Sequence, residues 1–294
     1  MKTTNICFYP KKIESGESAL QRLGPFSKNK LKEFDLLKED WLKLPVKGQE
    51  LKLPVDLLHH NQIQISEQSA IQWLEETPSY FAFHKPPKMH SHPHAYSEVD
   101  NALSHLYRLN ANFYDYFKLV NPSDYSRGLL YRLDFETSGL MVFIKDHKEH
   151  AYLRENYGKC VKKKGYVAIV QGQVKSNGKL VHWLIPSGPN KLKMKAYEEM
   201  LDGKSKYPPQ RAELSYEVLS YDSSLNQSKL KIYLQSGHRH QIRVQLSHIG
   251  HAIVGDSLYG NAPQDAELLL QAKEYEWVSK AGSITSVIDP VDSF

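Results

Sequence analysis

Cysteine is nearly missing from this chain. Cys7 and Cys160 are the two in 294 residues, and they stand far apart. That excludes a disulfide framework and a cysteine-based zinc module. No apolar run approaches the roughly 20 residues that span a membrane, and the N-terminal "MKTTNICFYPKK" lacks the apolar core of a secretion signal. A cytoplasmic protein with no membrane partner is expected. Nucleotide signatures are missing too: no P-loop and no G-x-G-x-x-G occurs, so no nucleotide cofactor is expected. G-x-S-x-G is absent, which removes the nucleophile elbow of a serine hydrolase. There is no internal repeat. Neither charge sign dominates: 38 Lys and Arg against 33 Asp and Glu give +5, compatible with an RNA partner without requiring one.

What is present is enough for a sizeable core, with 40% hydrophobic residues. The texture changes near residue 77. Residues 1–76 read as a small N-terminal appendage, helical or mixed. There "SKNKLKEFDLLKEDWLKL" spaces Leu31, Phe34, Leu37 and Leu42 for a helix behind Ser27 as N-cap. Residues 77–294 read as the main domain. "SYFAFHKP", "GLMVFIK" and "GYVAIVQG" read as strands. "AELSYEVL" and "KLKIYLQ" alternate with period two, as half-buried antiparallel neighbours do. "HKEHAYLRENYGK" reads as a helix closed by Gly158, and "HQIRVQLSHIG" as one stopped by Gly250. "SGPNKLKMKAYEEMLDGKSKYPPQ" reads as a polar loop whose Lys191, Lys193 and Lys195 alternate like a basic edge. Strand runs with scattered helices indicate an α+β domain around a mixed, largely antiparallel sheet.

The loop "FHKPPKMHSHPHAY" offers His84, His90, His92 and His94 as metal-ligand candidates. Pro86, Pro87 and Pro93 break any regular strand there, and no Cys or paired carboxylate completes a set, so no metal is expected. In "YRLDFETSGLMVF", Asp134 stands at the mouth of an apolar strand. An Asp in such a turn can simply bond local backbone amides.

Four segments in order carry more: "HKPPKMHSHP", "YRLDFETSGLMVFIK", "KKKGYVAIVQG" and "SGHRHQIRVQLSHIGHAIVGDSLYG". Over about residues 78–261 they resemble the RluA-like RNA pseudouridine synthases. The resemblance implies isomerisation of uridine in rRNA or tRNA, on a sheet with flanking helices and a basic RNA cleft. It implies a monomer, with RNA as partner and neither cofactor nor metal. Asp134 matches the catalytic carboxylate, Tyr166 the tyrosine against the uracil, and Arg243 the arginine paired with the Asp. Arg132 matches the arginine that helps displace the target base. Lys85, His240 and Gln241 fall on further substrate-binding positions. The "GDSLYG" tail, with Asp256, is read as architectural.

The residue types suit the chemistry. A carboxylate can act as nucleophile or base, and an adjacent guanidinium favours its ionised form and fixes its orientation. The uridine must leave its stack, and an inserted side chain lowers that cost. The pattern is not intact: the usual His before "RLD" is Tyr131, the Gly after "KPP" is Lys88, the Arg and Thr of the fourth segment are His238 and Arg239, and the His after "RV" is Gln245. A non-catalytic RNA-binding relative that kept the fold is the alternative.

Overall fold

The computed structural model describes residues 5–8, 14–16, 31–32, 35–39, 42–47, 51–54, 66–67, 69–93, 100–109, 128–188, 192–200, 207–235 and 237–294. The chain divides into two compact units, Met1–Ser69 with His92–Arg127, and Ala70–Ser91 with Gly128–Phe294.

The first unit holds β1 (Asn5–Phe8), β2 (Glu14–Ser15), β3 (Pro45–Val46) and β4 (Leu51–Pro54). β1 pairs antiparallel with β4, and β2 with β3. Leu31 and Leu42, two members of the expected helical stripe, are buried. Ser27 and Phe34 lie outside the described residues. At Leu36–Lys38 the chain makes one 3-10 turn after Asp35, whose φ of 58° is left-handed. A non-glycine residue in that conformation does not continue an α-helix, so the regular helix does not run through this point. The helix α1 (Ala102–Leu109) starts beside Asn101, whose side chain accepts from the Ser104 amide.

The second unit is built on a ten-stranded sheet. Its strands are β5 (Gln72–Glu76), β6 (Tyr80–Lys85), β7 (Ser138–Ile144), β8 (Val161–Gln171), β9 (Gly178–Ser187), β10 (Lys193–Tyr197), β11 (Gln210–Asp222), β12 (Gln227–Leu234), β13 (Leu270–Val278) and β14 (Ile284–Ile288). Their order is β10-β9-β11-β12-β8-β13-β7-β6-β5, with β14 on β13. The β13–β7 pair is parallel and the others are antiparallel, so the sheet is mixed and largely antiparallel, as expected. β5 takes the sheet back to Gln72, inside the stretch that sequence assigned to the appendage.

Every residue of β7 is buried, as the apolar run "GLMVFI" requires. Gly139 is the tight point. Its φ is +112°, and a Cβ there would stand 2.2 Å from the Ala272 carbonyl oxygen on β13. Only glycine lets β7 lie parallel against β13 at that position.

Among the described residues, three helices pack on this unit: α2 (His147–Glu155), α3 (Tyr157–Cys160) and α4 (Gln241–His248). The Asp146 carboxylate caps α2 by accepting from the Lys148 and Glu149 amides. Gly158 does not close this helix; it lies within α3 without a positive φ. Gly250 does follow α4 in the left-handed conformation, with φ of 84°. The expected polar loop after β9 contains a strand instead. Lys193–Tyr197 pairs with β9, with Met194 and Ala196 buried and Lys193 and Lys195 outward. That alternation is a half-buried edge strand, and the lysines blunt the edge. Lys191 lies outside the described residues.

Candidate active site

Two loops build the cradle for Asp134. The first is the "HKPPKMHS" segment that ends β6 and follows it; the second is residues 131–137 before β7. Ser91 ties them twice: its hydroxyl donates to the Leu133 carbonyl at 2.8 Å and accepts from the Leu133 amide at 3.0 Å. The Met89 amide donates to the Phe135 carbonyl at 3.1 Å. Lys85 fastens the centre. Its ammonium donates to the carbonyls of Pro86 and Met89 at 2.9 Å and of Phe135 at 3.4 Å. Lys85, expected at a substrate-binding position, has no exposed surface here, and its three donors are directed to carbonyls of the cradle. Burial pushes it down from 10.5 to about 7, against the pull of the Asp134 and Glu136 carboxylates. At Lys88 the backbone is left-handed, with φ of 58°, which explains why a glycine suits this place.

Asp134 follows in a turn closed by the Thr137 amide on its carbonyl at 3.2 Å. Its carboxylate is half-buried and makes no hydrogen bond among the described residues. The ordinary turn role, an Asp side chain bonded to nearby amides, does not apply. Its charge is felt by Lys85, Tyr166, His240 and Arg243. Arg132 and Phe135, on either side in sequence, are exposed, and Phe135 packs on His90 with ring centres 4.7 Å apart.

Tyr166 lies on β8 with 9% exposure. Burial pushes its phenol well up, with Tyr157 and Asp134 adding to the effect, so it stays neutral. Behind it is an aromatic group that the sequence reading missed. Tyr131 stacks flat on Tyr275, with centres 4.0 Å apart and planes 7° apart, and donates its hydroxyl to the Leu140 carbonyl. The Tyr157 and Tyr275 hydroxyls bond each other. Tyr131 is thus fixed between the Tyr275 ring and the Leu140 carbonyl.

Arg243 sits on α4, and its side chain is 1% exposed. The expectation that it pairs with Asp134 is corrected. Nε and Nη2 each donate at 2.8 Å to the two oxygens of Asp256, and Nη1 donates at 3.1 Å to Glu136. No ion pair joins Arg243 to Asp134 among the described residues. Burial opposes the Arg243 charge, and the carboxylates of Asp256, Glu136 and Asp134 outweigh it. The fork geometry explains the choice: two parallel N–H groups need a carboxylate presented side-on. Asp256 is so presented because its Oδ1 also accepts from the Leu258 and Tyr259 amides at 2.9 and 3.0 Å. Gly255 makes that turn possible, with φ of +81° and the Glu267 carbonyl 1.7 Å from where a Cβ would stand. The "GDSLYG" tail read as architectural thus supplies the main partner of Arg243.

His240 caps α4 in a left-handed conformation and bonds the Tyr259 hydroxyl through Nδ1 at 2.9 Å. Burial lowers its pKa, which favours the neutral ring. Gln241 is 2% exposed. Its amide accepts from the His238 amide at 3.1 Å and donates to the Glu213 carbonyl at 3.0 Å. Expected at a substrate-binding position, it here anchors the loop before α4 to β11. His238 and Arg239 extend the anchoring, to the Arg211 and Lys193 carbonyls.

The histidine-rich loop assembles no metal set among the described residues. His84 is buried against Asp289, with Nδ1 2.6 Å from its carboxylate. His90 is on Phe135, and His92 points Nδ1 at the Pro93 carbonyl at 3.2 Å. His94 lies outside the described residues.

Residues 79–248 match the family model described as RNA pseudouridylate synthase, which is more than half of the chain. The chain belongs to that family. Members are RNA pseudouridine synthases, isomerases of uridine in RNA, and this is the activity class that the sequence motifs implied. "Ribosomal large subunit pseudouridine synthase D" of Zymomonas mobilis is 29% identical over 241 residues, covering 81% of this chain and 70% of that protein. An uncharacterized RNA pseudouridine synthase of Helicobacter pylori is 29% identical over 271 residues, covering 82% and 83%. Among solved structures, human RNA Pseudouridylate Synthase Domain Containing 4 superposes with a TM-score of 0.57 at 23% identity, over 76% of this chain and 89% of that one. The shared fold is the one expected from the strand pattern.

Proposed function

We propose that Asp134 is the catalytic carboxylate of this pseudouridine synthase. The observation that carries this reading is the state of its side chain: accessible, and free of hydrogen bonds among the described residues. A carboxylate without local partners keeps its lone pairs for a substrate. The reaction breaks the bond between ribose C1′ and uracil N1, turns the base while it stays bound, and joins C1′ to C5. The C5 proton leaves and N1 gains one, so no electron or atom is left over. Asp134 assists as nucleophile or base. Tyr166, held neutral by burial, packs against the freed uracil between the two bonding events. Exposed Arg132 takes the space left in the RNA stack when the uridine turns out. Arg243 and His240 complete the polar side of the site, with Arg243 anchored by Asp256.

The substrate is structured RNA, rRNA or tRNA. The relative that acts on the ribosomal large subunit favours rRNA. A working arrangement is a monomeric, cytoplasmic protein whose catalytic domain is the unit of Ala70–Ser91 and Gly128–Phe294, in place of the expected 77–294. No described helix is long and apolar enough to cross a membrane. The deciding experiment measures pseudouridine in RNA treated with wild type and with Asp134→Asn. Loss of product with RNA binding retained supports the assignment; equal product from both refutes it. Mapping the modified positions in RNA from a deletion strain identifies the target.

A further inference from the structure

Phe135 is the exposed ring of the cradle. It is 42% exposed, whereas Phe81, Phe83 and Phe143 of the same unit are fully buried. A lone exposed apolar side chain is ordinary on a protein surface. This one is fixed in place and stands beside Asp134. It lies in the turn closed by the Thr137 amide on the Asp134 carbonyl at 3.2 Å. Its own carbonyl accepts from the Met89 amide at 3.1 Å and from the Lys85 ammonium at 3.4 Å, which ties its backbone to the facing loop. Its ring lies against His90, with centres 4.7 Å apart and planes at 56°. We propose that Phe135, backed by His90, is a stacking platform for an RNA base next to the target uridine.

With Asp134 as the catalytic carboxylate, on which this reading rests, the uridine that reaches it brings its chain neighbours to the adjoining residues. Turning that uridine out deprives the base on each side of a stacking face. Arg132, two residues before Asp134, takes the space left in the stack. Phe135, directly after Asp134, offers a ring to a base that has lost its neighbour. Both side chains are exposed, whereas Leu133 between them is buried.

The ring chemistry suits a base. Every nucleobase presents a π-face, so stacking on an aromatic side chain is strong and tolerant of sequence. Unstacked bases are the usual partners of aromatic side chains in RNA recognition. The tied backbone and the His90 contact leave Phe135 little freedom to lose on binding. A leucine would keep apolar area but give up the flat face, which makes it the discriminating substitution. Affinity for RNA, with little preference for one neighbouring base over another, is the property that Phe135 contributes.

The test uses full-length protein and a synthetic RNA that spans the modified position, as mapped in RNA from a deletion strain. Binding is measured for wild type, Phe135→Leu and Phe135→Tyr. Each is tried on intact RNA and on RNA with an abasic site at the 5′ or the 3′ neighbour of the uridine. Phe135→Leu should weaken binding of intact RNA about tenfold, and Phe135→Tyr should restore it. One of the two abasic sites should weaken binding by wild type about as much and hardly affect Phe135→Leu, because both changes remove the same contact. Equal binding of intact RNA by wild type and Phe135→Leu, or losses that multiply at both neighbours, overturns the proposal. The abasic RNAs on wild type probe the contact whether or not Phe135→Leu folds well. Asp134→Asn is run alongside: pseudouridine made by that variant would refute the Asp134 assignment, whereas the platform is judged by binding alone.

Discussion

Replacing Asp256 by Asn separates the two carboxylates that surround Arg243. The substitution keeps the size of the side chain and an oxygen for the Leu258 and Tyr259 amides. What it removes is the charge opposite a guanidinium that is 1% exposed, at a position where Asp256 itself is fully buried. Removing one partner of a buried ion pair costs about 3–5 kcal/mol, because the other charge stays desolvated. Glu136 remains at 3.1 Å and softens the loss, so about 3 kcal/mol is expected. With a urea m-value near 3 kcal/mol per M for a chain of this size, that moves the midpoint by roughly 1 M. Asp134→Asn, in contrast, has no described hydrogen bond or ion pair to lose, and should shift stability by less than about 0.5 kcal/mol. The assay is urea unfolding followed by circular dichroism, with product formation measured alongside. Asp256→Asn should lose stability and part of its activity. Asp134→Asn should lose activity alone. If Asp134→Asn destabilised the protein as much as Asp256→Asn, Arg243 would depend on Asp134, and the division of roles would be wrong.

Lys88→Gly should stabilise the protein by roughly 1 kcal/mol, since relief of a left-handed lysine exceeds the added chain entropy; an unchanged or lower urea midpoint would mean that the Lys88 bond to the Asp265 carbonyl matters more. Replacing Lys193 and Lys195 by Ala should flatten the salt dependence of RNA affinity, whereas Lys163→Ala should not, because Lys163 is paired with Glu274 at 2.8 Å; equal slopes for all three proteins would remove β10 from the RNA footprint. Lys85 titrates near 7 folded and 10.5 unfolded, so the unfolded chain binds more protons between those values, and stability should rise with pH across that window relative to Lys85→Met. A flat difference would show that the three carbonyls keep the ammonium charged. Exhaustive chelation should leave the rate of pseudouridine formation unchanged, and a rate lost on chelation and restored by zinc would place a metal in the reaction.

The strands were legible where one physical signal dominated. "GLMVFI" had to be a fully buried strand, and β11 and β12 declared themselves by period-two alternation. β10 was obscured by the polar residues around it, although Met194 and Ala196 alternate with lysines as an edge strand does. β13 was passed over despite Tyr275 and Trp277 at the same spacing, because charged residues interleave them. In the proposed site, motif spacing singled out Asp134, Tyr166 and Arg243 but not which carboxylate holds the arginine. Asp256 is 13 residues from Arg243, and Asp134 is more than a hundred away. Spacing says nothing about which of two acids presents its oxygens side-on. Lys85 and Gln241 show a similar limit of spacing: a polar residue in a functional motif can bond the backbone groups that hold the motif in place.

That distinction bears on how an acid can be kept ready in a half-buried site. An arginine placed in a fork with the reactive carboxylate would hold both oxygens in hydrogen bonds, and those bonds would have to break before the acid could attack or accept a proton. Here the fork is filled by Asp256, and Glu136 takes a third donor. Arg243 still lends its positive field to Asp134, without occupying its lone pairs. Lys85 likewise has its donors committed to carbonyls, and burial holds its pKa down at about 7. The direct bonds that would blunt the acid thus go elsewhere: the guanidinium fork to Asp256, and the lysine donors to backbone carbonyls. Nearness of a cation and occupancy of lone pairs are separate quantities, and here the cation is near while the lone pairs of Asp134 stay open.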